Sequence, residues 1–131
     1  MSKVVLDSSA FLAVANREPG ADRVQPVLRQ AFLSAVSLTE VLQKLVHKGM
    51  TLSNAEKYVR EFIGSVVAFD HTHAAIAAEM AALTRQFGLS LADRSCLALA
   101  RSMGAVVMTA DQNWVKLDLG VQIELIRGLT S

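Results

Sequence analysis

The sequence lacks the features that define several common protein classes. Its one cysteine, Cys96, cannot form an internal disulfide, and its place in an apolar helical stretch favours a buried thiol in the reducing cytoplasm. Nowhere do about 18 uncharged apolar residues follow one another, so we expect no membrane-spanning helix and no membrane partner. Asp7 and Ser8 interrupt the apolar N-terminal stretch, which argues against a signal peptide.

Charge of either sign is in little excess. The formal net charge is +1, so bulk charge does not indicate nucleic-acid binding, and any such activity needs a local basis. The sequence also has no zinc-ligand spacing of histidine and cysteine, no phosphate-binding glycine loop and no G-x-G-x-x-G motif. Hydrophobic residues, in contrast, make up 52% of the 131 positions and charged ones 19%, which predicts one compact domain over residues 1–131.

Five short β-branched segments alternate with helical patterns along the chain. This alternation predicts an α/β fold, a three-layer α/β/α sandwich with a five-stranded, mostly parallel sheet. Pro26 is expected either in the first turn of its helix or at a kink. The predicted strands are residues 3–6, 32–36, 65–69, 105–109 and 121–126, and the predicted helices are 8–16, 21–30, 37–49, 53–64, 72–88 and 90–104, of which four end at a glycine that should close the helix (Gly49, Gly64, Gly88 and Gly104).

Four acidic residues fall at the same edge of this predicted sheet. Asp7 directly follows the first predicted strand, Glu40 lies one helical turn beyond the second, and Asp111 follows the fourth. Asp93 opens the helix that leads back into the fourth strand, so the start of that helix should lie at the same edge. Ligand sites in open parallel sheets form beyond the carboxyl ends of the strands. The sequence therefore predicts that four carboxylates converge there.

Three of these acids, Asp7, Glu40 and Asp93, also have an interpretation as helix caps. Asp7 could N-cap the helix that follows it. The capping-box pattern, a serine followed three residues later by an acid, occurs at 37–40 and at 90–93. It occurs again at 53–56, where Glu56 follows a helix-to-helix turn and is interpreted as a cap alone. Independent caps have no reason to gather where they repel one another, so the joint placement of the other acids favours a site with a cation.

The expected cation follows from the ligand chemistry. A site made only of carboxylate oxygens suits the hard ions Mg²⁺ and Mn²⁺, which keep several of their waters and so leave positions open for a phosphate. Such an ion lowers the pKa of a bound water and neutralises charge on the phosphate, and a second ion would stabilise the leaving oxygen. No histidine base is then required, and we expect products with 5′-phosphate and 3′-hydroxyl ends.

At these residues the chain resembles the PIN domain family, and within it the VapC-type toxins of type II toxin–antitoxin pairs. The resemblance spans nearly the whole chain, and its first and third segments are the most diagnostic. It implies a Mg²⁺- or Mn²⁺-dependent endoribonuclease toxin that cleaves RNA, forms a homodimer and is bound by a cognate antitoxin protein. The matching segments are VVLDSSAFLAV, SLTEVL, LSLADRSCLALARSMGAVVMTAD and TADQNW.

The resemblance also implies roles for individual residues. Asp7, Glu40, Asp93 and Asp111 correspond to the catalytic acids that hold one or two divalent ions. Three polar residues have supporting roles: Ser9 matches a hydroxyl two places after the first acid, Thr109 matches the hydroxyl before the last, and Asn113 could share the duty of Asp111. Ser9 could otherwise cap a helix, and Thr109 could simply finish a strand.

The remaining polar and aromatic residues have weaker signals. Arg94 and Arg17 are the arginines that we expect to contact RNA phosphates, although either could be solvated surface. Trp114 could stack on a base but is better interpreted as packing its loop onto the core. His71 and His73 have no third metal ligand nearby, so a zinc site is not expected.

Two further function classes compete with the nuclease. One is a PIN-like module that binds RNA or protein without cutting it, and the full set of acids argues against this. The other is a phosphoacceptor receiver-like domain, which also gathers acids around Mg²⁺ at the edge of a parallel sheet. That domain would require paired acids after the first strand and a lysine after the last, whereas Asp7 stands alone and residues 121–128 contain no lysine.

Overall fold

A computed structural model describes residues 3–128, and in it five strands form one sheet in which all the pairings are parallel. The five predicted strands are confirmed, each shorter than expected. Residues 35–36, predicted as the end of the second strand, instead begin a helix. The strands are β1 (Val4–Leu6), β2 (Phe32–Ser34), β3 (Ser65–Val67), β4 (Val106–Thr109) and β5 (Ile123–Leu125).

The strand order is β3-β2-β1-β4-β5, which places β1 at the centre of the sheet between β2 and β4. Receiver domains have the order 2-1-3-4-5, so this topology excludes the receiver-like alternative. The order reverses between β1 and β4, and the crevice beyond the carboxyl ends of two such strands is where open α/β sheets bind ligands. Residue 7 and residues 110–111 follow these two strands directly.

Helices connect the strands, with two departures from the predicted boundaries. The helix predicted over 72–88 is α-helical from His71 only to Leu83 and is followed by a short 3₁₀ turn. The helix predicted over 21–30 is α-helical only to Val24 and continues as a 3₁₀ turn, because Pro26 has no N–H for the α-helical ladder. Among the described residues, none of the helices combines the length and apolar character needed to cross a bilayer. The helices are α1 (Ser8–Ala15), α2 (Ala21–Val24), α3 (Ala35–His47), α4 (Leu52–Phe62), α5 (His71–Leu83) and α6 (Leu91–Met103), with 3₁₀ turns at Gln25–Gln30, Arg85–Phe87 and Gln112–Lys116.

Side chains along the central strands alternate between two buried clusters. Leu6 and Met108 pack with α1, α3 and α4 on one face of the sheet, whereas Val5 and Val107 pack with α5 and α6 on the other. A parallel sheet covered on both faces requires apolar side chains on both. The two clusters therefore confirm the three-layer α/β/α sandwich.

The glycines predicted to close helices do so at three of the four positions. Gly49, Gly88 and Gly104 have positive φ angles of 109°, 63° and 64°, the left-handed conformation that ends many helices. Gly64 does not have this conformation, so the prediction is wrong there. A Cβ at Gly64 would collide with the carbonyl oxygen of Arg29, and close backbone packing is what requires glycine at this position.

Candidate active site

Asp7 lies at the centre of the carboxyl edge of the sheet and is 5% exposed. Its backbone N–H donates to Met108 O at 3.0 Å, which continues the β1–β4 pairing by one residue. Asp7 occupies the N-cap position of α1, but its side chain accepts no capping hydrogen bond. The capping interpretation of its carboxylate is therefore wrong, and that carboxylate makes its contacts elsewhere.

Two hydroxyl groups orient the Asp7 carboxylate. Ser9 Oγ donates to Asp7 Oδ2 at 2.6 Å, and Thr109 Oγ1 donates to the same oxygen at 2.9 Å. Each hydroxyl also accepts a backbone N–H from the loop after β4, Ser9 from Ala110 at 2.9 Å and Thr109 from Asp111 at 3.0 Å. A hydroxyl that donates to a carboxylate while accepting from a fixed amide has its orientation set at both ends.

Glu40 lies in the second turn of α3 and is not part of a cap. The helix begins at Ser34, whose side chain accepts from Val36 N, so Ser37 lies inside the helix. The predicted capping box at 37–40 is therefore wrong. Instead, Glu40 Oε1 accepts a hydrogen bond from Ser8 Oγ at 2.9 Å, which joins the start of α3 to the start of α1.

The pattern at 53–56 also fails to form a cap. Helix α4 is capped by Thr51, whose side chain accepts from Asn54 N at 3.1 Å. Ser53 lies within the first turn of this helix. Glu56 is therefore an exposed acid without a capping role. Its charge is not among those that shift the pKa of Asp7, so it offers a comparison for substitutions of the clustered acids.

Asp93, in contrast, is a cap as well as a member of the acidic group. Ser90 Oγ accepts from Asp93 N at 3.1 Å, and Asp93 Oδ2 accepts from Ser90 N at 3.0 Å. This reciprocal pair is a capping box at the start of α6, and it confirms the prediction for 90–93. The cap engages Asp93 Oδ2.

The charges of Asp93 and Glu40 both act on Asp7. Burial is the largest cause that raises the pKa of Asp7 to about 6, and repulsion by Asp93 and then by Glu40 adds to it, against the hydrogen bonds from Ser9 and Thr109 that lower it. Within residues 3–128, none of the three acids forms an ion pair with a lysine, arginine or histidine. Glu40 and Asp93, which are half-buried, thus add negative charge around the one buried carboxylate, that of Asp7.

Cys96 lies beneath this group. Its Sγ is 3.7 Å from Leu6 O, and the residue is fully buried. Burial raises the pKa of the Cys96 thiol well above its ordinary value, and the charges of Asp7, Asp93 and Glu40 raise it further. The thiol therefore stays protonated and unreactive at neutral pH, in agreement with the prediction of a buried thiol.

Asp111 is connected to the other acids only indirectly. It precedes the 3₁₀ turn Gln112–Lys116, and its Oδ1 accepts from Asn113 N at 3.0 Å. Thr109 links it to Asp7 through the Asp111 N–H, but Asp111 is not among the charges that shift the pKa of Asp7. Asn113 contributes its backbone N–H to this turn, and its side chain is exposed.

The donor set fits a hard divalent cation in chemistry. Its side chains offer carboxylate and hydroxyl oxygens only, and their negative charge has no cationic partner among the described residues. In the described part of the chain, no three His, Cys, Asp or Glu residues already converge on a common metal position. Glu40 and Asp93 are engaged by Ser8 and by the Ser90 amide, as described above. Glu40 and Asp93 act electrostatically on Asp7, and oxygen donors of this kind are the ligands that such a cation prefers.

The other residues singled out in the sequence differ in their contacts and burial. Arg94 Nη1 donates to Ala77 O at 3.0 Å and so joins α6 to α5. Arg17 is exposed, just after α1, with a positive φ of 55°. Trp114 is fully buried, which confirms the packing interpretation and is incompatible with base stacking. His73 is buried in a capping box with Asp70.

Sequence reasoning missed Ser8. The signal was present in the sequence, because two hydroxyl residues follow the first acid directly and occupy the first two positions of α1. Adjacent residues on a helix point about 100° apart, so the two hydroxyls cannot both reach the same neighbour. Ser9 contacts Asp7, whereas Ser8 contacts Glu40.

A family comparison adds to this geometry. The model of the PIN domain family matches residues 4–119, a range that contains Asp7, Glu40, Asp93 and Asp111. The chain belongs to the PIN domain family. No sequence among curated proteins matches this PIN domain.

Solved structures with the same fold include several toxin–antitoxin proteins. The PIN domain is similar to DNA-bound VapBC from Salmonella typhimurium, with 21% identity and a TM-score of 0.74 over 96% of this chain and 99% of that one. It is similar to VapBC2 from Rickettsia felis bound to a promoter DNA fragment, with 15% identity and a TM-score of 0.72 over 93% and 97%. It is also similar to the sarcin–ricin loop cleaving toxin VapC20 of Mycobacterium tuberculosis, with 19% identity and a TM-score of 0.70 over 86% and 93%. At these identities the similarity establishes the fold.

Proposed function

We propose that this PIN domain is a Mg²⁺- or Mn²⁺-dependent endoribonuclease that hydrolyses RNA phosphodiester bonds and acts as the toxin of a toxin–antitoxin pair. The observation that carries the proposal is the buried Asp7 carboxylate, which is 5% exposed and repelled by Glu40 and Asp93 without a cationic partner among the described residues. A fold has no stability reason to gather such charges. A site that binds a divalent cation has a reason to gather them, because the cation offsets their mutual repulsion.

Asp7, Glu40 and Asp93 would hold the cation, and Asp111 would complete the set from the loop after β4. When bound, a divalent ion lowers the pKa of a coordinated water and neutralises negative charge at the scissile phosphate. Ser9 and Thr109 fix the direction of the Asp7 carboxylate through Oδ2. The four acids are thus carried by the ends of β1 and β4, by the second turn of α3 and by the first turn of α6.

RNA contacts would come from two arginines, Arg94 and Arg17. Arg94 follows Asp93 directly, and Arg17 lies at the exposed end of α1. Their cationic side chains could bind phosphates of the RNA backbone, which positions the strand without reading its sequence. Arg94 would have to release Ala77 O to do so. Asn113 could assist at the Asp111 turn through its exposed side chain.

The structural similarities support a protein partner for this chain. The Salmonella typhimurium and Rickettsia felis relatives are VapBC assemblies, and for this chain we propose a cognate antitoxin as well. Assembly into a homodimer and location in the cytoplasm stay predictions of the sequence analysis.

Cleavage by the purified protein tests the proposed activity. A panel of transfer, messenger and ribosomal RNAs, including a sarcin–ricin loop hairpin, is incubated with Mg²⁺, Mn²⁺ or EDTA. We expect cleavage only with a divalent ion, and products with 5′-phosphate and 3′-hydroxyl ends. Asp7→Asn should abolish cleavage, whereas Glu56→Gln, which changes an exposed acid whose charge does not shift the pKa of Asp7, should leave it intact.

Two results would reject the nuclease. Equal cleavage by wild type and Asp7→Asn would trace the activity to a contaminant or to another site. RNA binding by both proteins without any cleavage in any metal would favour the non-catalytic binding module instead.

A further inference from the structure

Two consecutive serines at the start of α1 serve two different acids. Ser9 Oγ donates to Asp7 Oδ2, and Ser8 Oγ donates to Glu40 Oε1 at 2.9 Å. The first contact is local, whereas the second joins residues 32 positions apart on separate helices. The direction of Glu40 is therefore set by a residue of another element.

Glu40 needs such an anchor more than Asp7 does. Its side chain has three rotatable bonds, and it extends from the second turn of α3 with its carboxylate partly exposed. Within residues 3–128, the bond from Ser8 is the hydrogen bond that this carboxylate accepts. Ser8 itself is 7% exposed, so its hydroxyl is held in place and has little access to competing water. Hydrogen bonds to a carboxylate are stronger than those between neutral groups.

We propose that Ser8 is a positioning residue, which holds the Glu40 carboxylate beside Asp7 so that both can share one divalent cation. This inference rests on the proposed function. Ser8 occupies Oε1 of Glu40 and leaves Oε2 for a ligand. Groups that orient metal-binding side chains in this way commonly change metal affinity by 10–100-fold when they are removed.

Binding of Mn²⁺ alone, without RNA, tests this role. The EPR signal of free Mn²⁺ is titrated with the wild type and with Ser8→Ala, Ser8→Thr, Glu40→Gln and Asp7→Asn. We expect Ser8→Ala to weaken Mn²⁺ binding by roughly tenfold. Ser8→Thr keeps the donor and should restore affinity to within about twofold of the wild type. Ser102→Ala removes a hydroxyl that donates to Leu99 O within α6 and should leave affinity unchanged.

Wild-type Mn²⁺ affinity in Ser8→Ala, together with weakened affinity in Glu40→Gln, would overturn the role of Ser8 and leave the proposed function standing. Wild-type affinity in Asp7→Asn and Glu40→Gln would overturn both. Ser8→Cys replaces the hydroxyl with a somewhat larger thiol, which is a weak donor, and it takes the place of Ser8→Ala if circular dichroism shows that the alanine variant is unfolded. Equal weakening by Ser8→Thr and Ser8→Ala would also reject the role, because a retained hydroxyl should rescue binding.

Discussion

The hydroxyl of Thr109 donates to Asp7 Oδ2 at 2.9 Å, across 102 positions of the sequence. The contact exists because β1 and β4 pair in parallel with Leu6 opposite Met108, so the next residues on the two segments, Asp7 after β1 and Thr109 at the end of β4, lie side by side. Thr109 is fully buried and also accepts the Asp111 N–H. One side chain therefore connects the first acid to the loop that carries the last.

Removing the Thr109 hydroxyl should affect the active site more strongly than it affects the stability of the fold. Thr109→Val keeps the shape but removes the donor to Asp7, so we expect the pKa of Asp7 to rise further and cleavage to fall by at least tenfold. The Asp111 N–H would lose its acceptor and the Asp7 carboxylate one of its two hydroxyl donors, which should cost about 1–3 kcal/mol in the free energy of unfolding. The pKa is measured by carboxyl-carbon NMR and the stability by urea denaturation.

Thr84→Val is the matched control for this change. Thr84 is also buried and donates to Met80 O at 2.8 Å, within its own helix region. It should lose stability without any change in the pKa of Asp7 or in cleavage. If the two valine variants alter the Asp7 titration equally, Thr109 has no special connection to that acid.

The elevated pKa of Asp7 predicts a specific pH dependence of stability in the metal-free protein. Because the folded protein binds the Asp7 proton more tightly than the unfolded chain, with a pKa of about 6 against 3.8, the stabilisation is fully present below pH 3.8. It is lost as the pH rises through about 6, and the whole change amounts to about 3 kcal/mol. Asp7→Asn has no such proton, so in EDTA it should be more stable than the wild type at pH 7.

The difference in the free energy of unfolding between the wild type and Asp7→Asn separates the titration of Asp7 from that of the other carboxyl groups. Urea denaturation in EDTA from pH 4 to 7.5 gives the free energy of unfolding of both proteins at each pH. The two curves should diverge as the pH rises, because Asp7→Asn becomes more stable relative to the wild type. Parallel curves over this range would mean that Asp7 titrates normally in the folded state.

The capping and site roles of Asp93 can be separated by a pair of variants. Ser90→Ala removes the side chain that caps Asp93 N and should lower stability by about 1 kcal/mol, while cleavage at a temperature where the variant is folded stays near the wild-type rate. Asp93→Asn keeps an acceptor for Ser90 N but loses the charge, so it should fold and lose cleavage at least 100-fold. Thermal unfolding and initial cleavage rates measure the two effects. If Asp93→Asn still cleaves RNA, Asp93 is a helix cap without a role in the active site.

Divalent ions should stabilise the folded protein through the acidic group. At a concentration of Mn²⁺ about 100 times its dissociation constant, the expected gain is about 2.7 kcal/mol, or roughly 10 °C in Tm for a chain of this length. Asp7→Asn should show little of this gain. Differential scanning fluorimetry with Mn²⁺, Mg²⁺, Ca²⁺ or EDTA measures it, and equal shifts in wild type and variant would locate the binding elsewhere.

Much of the fold was predictable because it depends on local periodicity. The five β-branched segments and the helical patterns between them predicted a parallel sheet covered on both faces, and the register of the central strands then brought Asp7 next to Thr109. Helix starts were less predictable. Ser37 and Ser53 match the capping-box pattern as well as Ser90 does, yet Ser34 and Thr51 cap the first two of these helices.

The sequence by itself determined the order of strands and helices, the PIN resemblance and the edge at which the acids lie, because apolar periodicity and the position of each acid after a strand are properties of the chain. Only the tertiary structure decided what each polar side chain does there. Asp7 is a buried carboxylate and not a cap, Asp93 is both cap and neighbour, and Ser8 reaches Glu40 on another helix. These roles depend on which helices pack against which strands, and sequence spacing carries no information on distances between elements far apart in the chain.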